Sequence, residues 1–295
     1  MRIAVTGISG MIGSALAEHL RGAGDDVVGV SRTPEAGQIG WDIDAGRLDP
    51  GAFEGVDGVV HLAGELIDGR WTAKKKQRIL NSRVAGTRLV ADAISRVDGG
   101  PRVLVTASGI SYYGDRGEEP LTEEAPRGDL FLSSVCEAWE DAARPAAAAG
   151  IRVVNARTGI VLSPRGGALK RLRLVFLLGA GGRLGSGRQI WSWITLPDVV
   201  RAYAHLLAAD VDGPANLASP NPVDNATFAK TLGRVLHRPS VLPAPAFALR
   251  IALGPTADEM ALASTNVRPT VLEASGFEFL HPDLETGLRA VLEAY

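Results

Sequence analysis

Three glycines at the spacing GxxGxxG stand within the first thirteen residues, in Thr6-Gly7-Ile8-Ser9-Gly10-Met11-Ile12-Gly13. Glycine lets a backbone turn tightly and approach a bulky group where any Cβ would collide. Gly7 serves the turn out of a strand, Gly10 the approach to a pyrophosphate, and Gly13 the close packing of the helix that follows. The start of that helix, with Ser9, Met11 and Ile12, offers free N–H groups and a positive dipole end to phosphates. The next strand-like run ends Val30-Ser31-Arg32-Thr33, without an acid. A carboxylate there would accept from a ribose 2′-hydroxyl. Arg32 suits a 2′-phosphate instead, and Ser31 and Thr33 can add hydrogen bonds. The pattern predicts a dinucleotide site for NADP(H), with NAD(H) as the second option.

Such a loop has meaning only between a strand and a helix, and the chain supplies both. Arg2–Thr6 reads as a strand, and Ile12, Ala15, Leu16 and Leu20 follow at helical spacing. Further strands are expected at Asp26–Ser31, Gly58–Leu62, Arg102–Ala107 and Arg152–Arg157, and helices at Ala73–Ser95 and Leu130–Ala149. Alternation at these lengths predicts an α/β fold, a doubly wound parallel sheet of the Rossmann type. After residue 163 the rhythm changes. Ser163–Gly187 is rich in Gly and Arg, Gln189–Thr195 reads as a strand, Asp198–Ala209 as a helix and Pro214–Ala218 as a strand. Helices are expected at Asn225–Leu236, capped by Asp224 or Asn225, and at Asp283–Ala294. The division expected is a Rossmann domain over 1–163, to which 189–218 returns, and a smaller, mainly helical C-terminal domain from 164–188 and 219–295.

Composition narrows the class. Of 295 residues 46% are hydrophobic and 22% charged, values of a globular chain. No run approaches the length of a membrane span, and no signal peptide is expected from the residues that open the first strand. With 31 basic and 33 acidic residues, a broad nucleic-acid footprint is not expected. Lys74-Lys75-Lys76, beside Arg70 and Arg78, reads as the solvated face of a helix. Cys136 is the only cysteine, so no internal disulfide exists, and a cytoplasmic, reducing compartment is expected. The five histidines show no metal-ligand spacing, and no metal site is expected.

Landmarks in order give the chain a resemblance: TGISGMIG at 6, HLAG at 61, GT at 86, ASGISYYG at 107 and ARTGIVLS at 156. It resembles an extended short-chain dehydrogenase/reductase of the NAD-dependent epimerase/dehydratase family, in its atypical SDR39U1-like subgroup. VRPTVLEASGFEFLHPDLETGL near the end is similar to the DUF1731-type domain of those proteins. The resemblance implies that Asp42 and Ile43 lie near an adenine, and that Leu62, Ala63 and Gly64 line the adenosine ribose and pyrophosphate. It places Thr106, Ala107 and Ser108 near the nicotinamide ribose, and Arg157, Gly159 and Val161 over the nicotinamide.

Working members of that superfamily use a serine with a YxxxK pair, the tyrosine moving a proton and the lysine lowering its pKa. Ser108 matches the serine. The segment FLSSVCEAWE puts Leu132 where the tyrosine belongs and Cys136 where the lysine belongs, and neither can do that chemistry. Tyr112 or Tyr113 is a candidate replacement acid, although Tyr113 also reads as a packing residue. Cys136 reads as a small buried residue. Glu65, Arg70 and Trp71 are candidates to face a substrate. Two functions follow: an NADP(H)-dependent oxidoreductase or epimerase on an unidentified small molecule, or a non-catalytic NADP(H)-binding sensor. The resemblance implies a homodimer as one assembly, through the two long helices Ala73–Ser95 and Leu130–Ala149, which the sequence itself does not decide.

Overall fold

Ile3 and Val5 enter one core and Ala4 the other, so β1 (Arg2–Thr6) is covered on both faces. The structure is a computed structural model describing residues 1–293. From β1 the chain runs through α1 (Met11–Gly22) to β2 (Asp26–Ser31), β3 (Ile39–Asp42), β4 (Arg47–Leu48) and β5 (Gly58–His61). The long α2 (Ala73–Ile94) precedes β6 (Val103–Gly109) and the short β7 (Pro120–Leu121). Then come α3 (Phe131–Asp141), α4 (Arg144–Ala148), β8 (Arg152–Thr158), β9 (Ile160–Leu162) and α5 (Gly167–Leu177). β10 (Ile190–Trp191), β11 (Trp193–Thr195), α6 (Leu196–Ala208) and β12 (Gly213–Leu217) follow. The remainder is β13 (Val223–Asp224), α7 (Asn225–Val235), α8 (Ala246–Leu253), β14 (Asn266–Val267), α9 (Thr270–Ala274) and α10 (Leu284–Glu293).

The main sheet has the order β12-β8-β6-β5-β1-β2-β3-β4 and is parallel except for β4 at its edge. Side chains of α1 and α6 fill one face, with Leu16, Val199 and Tyr203 over Val5, Val60 and Val105. Side chains of α2 fill the other, with Val90 and Ile94 near Val28, Val59 and Leu104. β1 is followed on one side by β2 and on the other by β5, and a crevice opens beyond the carboxyl ends where the order reverses.

Several elements differ from expectation for definite reasons. The helix expected over Leu130–Ala149 is two, because Pro145 has no N–H and its ring crowds the carbonyl four residues back. The strand expected over Gln189–Thr195 breaks at Ser192. That hydroxyl donates to the Thr265 carbonyl and accepts from the Val267 amide. As a result β10 pairs with β13, and β11 with β9. Within the Gly- and Arg-rich stretch, α5 forms by burying Leu169 and Phe176. Asp224 caps α7 by accepting from the Thr227 amide at 2.6 Å. The last helix is described to Glu293, and Ala294 lies outside the described residues.

A strand pairing and hydrogen bonds tie the C-terminal segment into the preceding part of the chain. β14 pairs with β7. The buried Asp198 accepts from the amides of Leu280 (2.7 Å) and His281 (3.0 Å). Glu123 accepts from the Val271 amide and the Thr270 hydroxyl. Glu259 accepts from the Leu132 amide at the start of α3, 2.8 Å away.

His61 is fully buried at the centre of the sheet. The Thr6 hydroxyl oxygen accepts from the amides of Leu62 and Ala63, so its proton goes to His61 Nδ1 at 2.8 Å. Burial pushes the imidazole down to about 3. The unfolded chain, with an ordinary histidine near 6.5, takes up the proton first. Stability from this group is therefore complete above about pH 6.5 and is lost as pH falls toward 3. Between pH 7 and pH 5 the wild type should lose about 2 kcal/mol more than His61→Asn, measured by urea unfolding at both pH values. Equal losses would show that His61 does not carry the proton linkage.

Candidate functional site

The glycine loop lies on the switch point. Gly7 has a φ of +65°, and a Cβ there would stand 3.0 Å from the backbone of Leu62 and Ala63 at the end of β5. At Gly13 a Cβ would be 2.2 Å from the Gly7 carbonyl oxygen, which fixes how closely α1 approaches the loop. Gly10 is different: it is exposed, and its Cβ would meet only the Gly7 oxygen, at 3.1 Å. Thr72, Thr195 and Asp224 cap α2, α6 and α7 with their side chains, whereas no side chain caps α1. Its first-turn amides are left for an anion. A Cβ on Gly166 would lie 3.0 Å from Met11 Sδ, so the turn after β9 covers the start of α1. This cradle without Cβ atoms and with uncapped donors fits a pyrophosphate.

Arg32, at the end of β2, is exposed and has no hydrogen-bond or ion-pair partner among the described residues. Beside it, Ser31 and Thr33 hold each other: the Ser31 hydroxyl accepts from the Thr33 amide and donates to its carbonyl. Asp42 accepts from the Ala45 amide at 3.0 Å and from Arg47 at 2.6 Å, shaping the β3–β4 turn. Ile43, partly buried, packs on the core below that turn.

The ends of β6 and β8 carry a buried polar chain. Ser108 stands opposite Arg157 in register. Its hydroxyl donates to Glu140 Oε1 at 2.7 Å. Arg157 grips the same carboxylate through Nε and Nη2, both at 2.8 Å. Arg157 Nη1 donates to the Tyr113 hydroxyl (3.0 Å) and the Glu123 carbonyl (3.2 Å), and its guanidinium lies 3.5 Å from the centre of the Tyr112 ring. Tyr113 in turn donates to Asn216 Oδ1 at 2.7 Å. Burial works against the arginine's charge, but Glu140 more than offsets it and holds the guanidinium above its ordinary range. Burial also pushes the Tyr113 phenol up to about 12.

These contacts correct three expectations. Tyr113 is fully buried and its proton is committed to Asn216, so it is an anchor of the network and not an acid facing a substrate. Arg157, 3% exposed, reaches the cleft only through Glu140 and Ser108. Trp71 packs with Ile79, Leu132 and Val135, and its Nε1 donates to the Ile67 carbonyl at 2.7 Å. Leu132 thus has a packing role where a tyrosine was sought. Cys136 is buried, and burial first, then Glu140, pushes its thiol up to about 11.

The loop after β5 holds Glu65, which Lys75 and Arg78 keep below the usual carboxylate range by donating at 2.8 and 2.5 Å. Lys76 lies 4.5 Å from the centre of the Phe131 ring. The basic run is therefore not a plain solvated face: its second and third lysines turn inward to a carboxylate and an aromatic ring. Arg70 donates to the Ile251 carbonyl at 3.3 Å, and Thr256 donates to the Gly69 carbonyl at 2.9 Å. Leu62, Ala63 and Gly64 follow β5 beside the glycine loop, Thr106 and Ala107 precede Ser108 on β6, Gly159 joins β8 to β9, and Val161 lies in β9. The Cβ of a residue at 159 would stand 2.8 Å from the Ser192 carbonyl. Glu140, Asn216 and Glu123 were not anticipated. Glu140 could have been: it falls four residues after Cys136, on the buried stripe of α3.

Among the described residues, no helix is long and apolar enough to cross a membrane. The NAD dependent epimerase/dehydratase family profile matches residues 3–218, and a domain of unknown function, DUF1731, matches 244–291. The epimerase family protein MT2273 of Mycobacterium tuberculosis is 42% identical over 283 residues, covering 95% of this chain and 93% of its own. The human epimerase family protein SDR39U1 is 35% identical over 297 residues, covering 99% and 100%. A crystal structure of the human protein (isoform 2) with NADPH superposes at a TM-score of 0.92, with 34% identity over the whole of both chains.

Proposed function

Because the chain belongs to the NAD-dependent epimerase/dehydratase family, we propose that it binds NADP(H) and acts as an oxidoreductase or epimerase on a small molecule without a tyrosine–lysine pair. The observation that carries this is the uncapped start of α1, seated through Gly7 on the end of β5, with the unpartnered Arg32 at the end of β2. The NADPH in the human relative's crystal structure supports the same ligand. In this reading Gly7–Gly13 holds the pyrophosphate and Arg32 the 2′-phosphate. Asp42 and Ile43 border the adenine, and Leu62–Gly64 and Thr106–Ser108 line the ribose side. Gly159 and Val161 border the nicotinamide, which when bound supplies or takes a hydride.

Ser108 is the residue nearest this chemistry. Its proton is directed to Glu140, so toward a substrate it presents a lone pair and selects a hydrogen-bond donor such as a hydroxyl. Glu65 and Arg70 border the substrate side, against the smaller part formed by 164–188 and 219–295. Copies of the chain pair through α2 and α3. A second reading, a non-catalytic NADP(H) sensor, is favoured by Leu132 and Cys136 at the key helix positions and by the locked Tyr113 phenol. Ser108→Ala separates the two, since an enzyme loses turnover while a sensor keeps its cofactor response.

Calorimetric titration tests the cofactor. Arg32→Ala should weaken NADPH binding by about tenfold to a hundredfold and leave NADH unchanged, the size of a charge-assisted bond to phosphate. NADH binding as tightly as NADPH to the wild type would overturn the assignment of Arg32. Binding of neither would overturn the function.

A further inference from the structure

One cation sits in the covered stripe of α2. Ile79, Gly86, Thr87 and Val90 define that stripe, and Arg83 lies four residues after the first and three before the second. Its guanidinium stacks 4.7 Å from the centre of the Trp139 ring of α3. A Cβ on Gly64 would stand 3.5 Å from its Cζ and Nη1, so the group reaches the carboxyl end of β5. The Cys136 thiol, whose Sγ is 3.7 Å from where a Gly109 Cβ would be, is among the groups that act on its charge.

The donors of Arg83 are only partly satisfied. Nη1 donates to the carbonyls of Glu65 (3.0 Å) and Ile79 (3.3 Å). No acceptor among the described residues takes the hydrogens of Nε or Nη2. The nearby carboxylate, Glu65, is held by Lys75 and Arg78. Burial lowers the pKa of the guanidinium. Nε and Nη2 carry three N–H bonds that no protein acceptor among the described residues takes, and no carboxylate pairs with this half-buried guanidinium. It is matched to a ligand that brings oxygen acceptors to Gly64.

We propose that Arg83 binds the nicotinamide half of the dinucleotide, with Nε and Nη2 donating to the hydroxyl oxygens of the nicotinamide-side ribose. This rests on the NADP(H) reading above. The guanidinium replaces, from a different helix, the positive charge that Cys136 cannot provide. Its position is set by the flat face of Trp139 and by the absence of a side chain at Gly64. A lysine could not reproduce that stacked fork.

The test compares NADPH with 2′,5′-ADP, which carries the adenosine and its 2′-phosphate but lacks the nicotinamide half. In Arg83→Met, whose stem still covers Trp139, NADPH should bind about tenfold to a hundredfold more weakly while 2′,5′-ADP stays within about twofold of wild type. Arg83→Lys should lose less, since it keeps the charge, and it serves if the methionine variant does not fold. Unchanged NADPH binding in both variants, or an equal loss for both ligands, would overturn the role of Arg83. Failure of the wild type to bind NADPH at all would overturn the underlying reading instead, so the two failures are distinct.

Discussion

Glu140→Leu should lower the stability of the protein by about 3–5 kcal/mol, the cost of leaving a buried charge without its partner. Arg157 has a side-chain exposure of only 4% and Glu140 of 11%, so little water reaches the pair. Removing the carboxylate strands the guanidinium and leaves the Ser108 proton without its acceptor. The double variant Glu140→Leu, Arg157→Met should recover part of the loss, because it removes the stranded charge. Recovery should be incomplete, since the Tyr113 hydroxyl and the Glu123 carbonyl then lack a donor. Guanidinium chloride unfolding of Glu140→Leu, Arg157→Met and the double variant gives the coupling energy directly. If the double variant were less stable than the sum of the singles, the ion pair would not be the source of the effect.

The second large effect concerns the glycine loop, where two neighbouring alanine substitutions should behave differently. In Gly13→Ala the new methyl meets the Gly7 carbonyl oxygen at 2.2 Å and the Gly7 carbon and Ile8 Cα at 2.9 Å, all backbone atoms that cannot swing aside. The helix must move off the loop, with a stability loss of about 1–3 kcal/mol and a fall in NADPH affinity of a hundredfold or more. Gly10→Ala meets only one oxygen at 3.1 Å and should keep nearly the wild-type melting temperature. Its NADPH affinity should nevertheless collapse if the pyrophosphate lies as proposed, because the methyl would stand in its approach. Thermal melts paired with NADPH titrations separate the cases. A Gly10→Ala variant that binds NADPH normally would place the pyrophosphate elsewhere.

The central strands were legible because both faces are buried, and Val59-Val60 or Val103-Leu104-Val105 leave no polar position to confuse the period. The glycine loop was legible because turn, approach and packing each require the same missing side chain. β3 and β4 were not, since short edge strands with Gly40, Asp42 and Arg47 carry the composition of a turn. Nor was the fate of Tyr113: its phenol is locked by Asn216, 103 residues later, and only the sheet brings them together. Arg83 left a readable trace as a charge on the apolar face of α2. What it stacks on belongs to another helix, which sequence spacing does not reveal.

The ties at Asp198, Glu123, Glu259 and β7 bear on how such a chain can change over time. The matched C-terminal stretch is not a cassette that could be exchanged or appended, because its amides and strand complete donors, acceptors and an edge belonging to the region before it. A graft from a distant relative would arrive with its own register at β14 and its own reach to Asp198, and would leave buried polar groups on both sides unmet. The two matched regions are therefore expected to be inherited together. Variation is expected instead at exposed positions such as Leu66, Phe247 and Ile251, where a side chain can change without disturbing the joints.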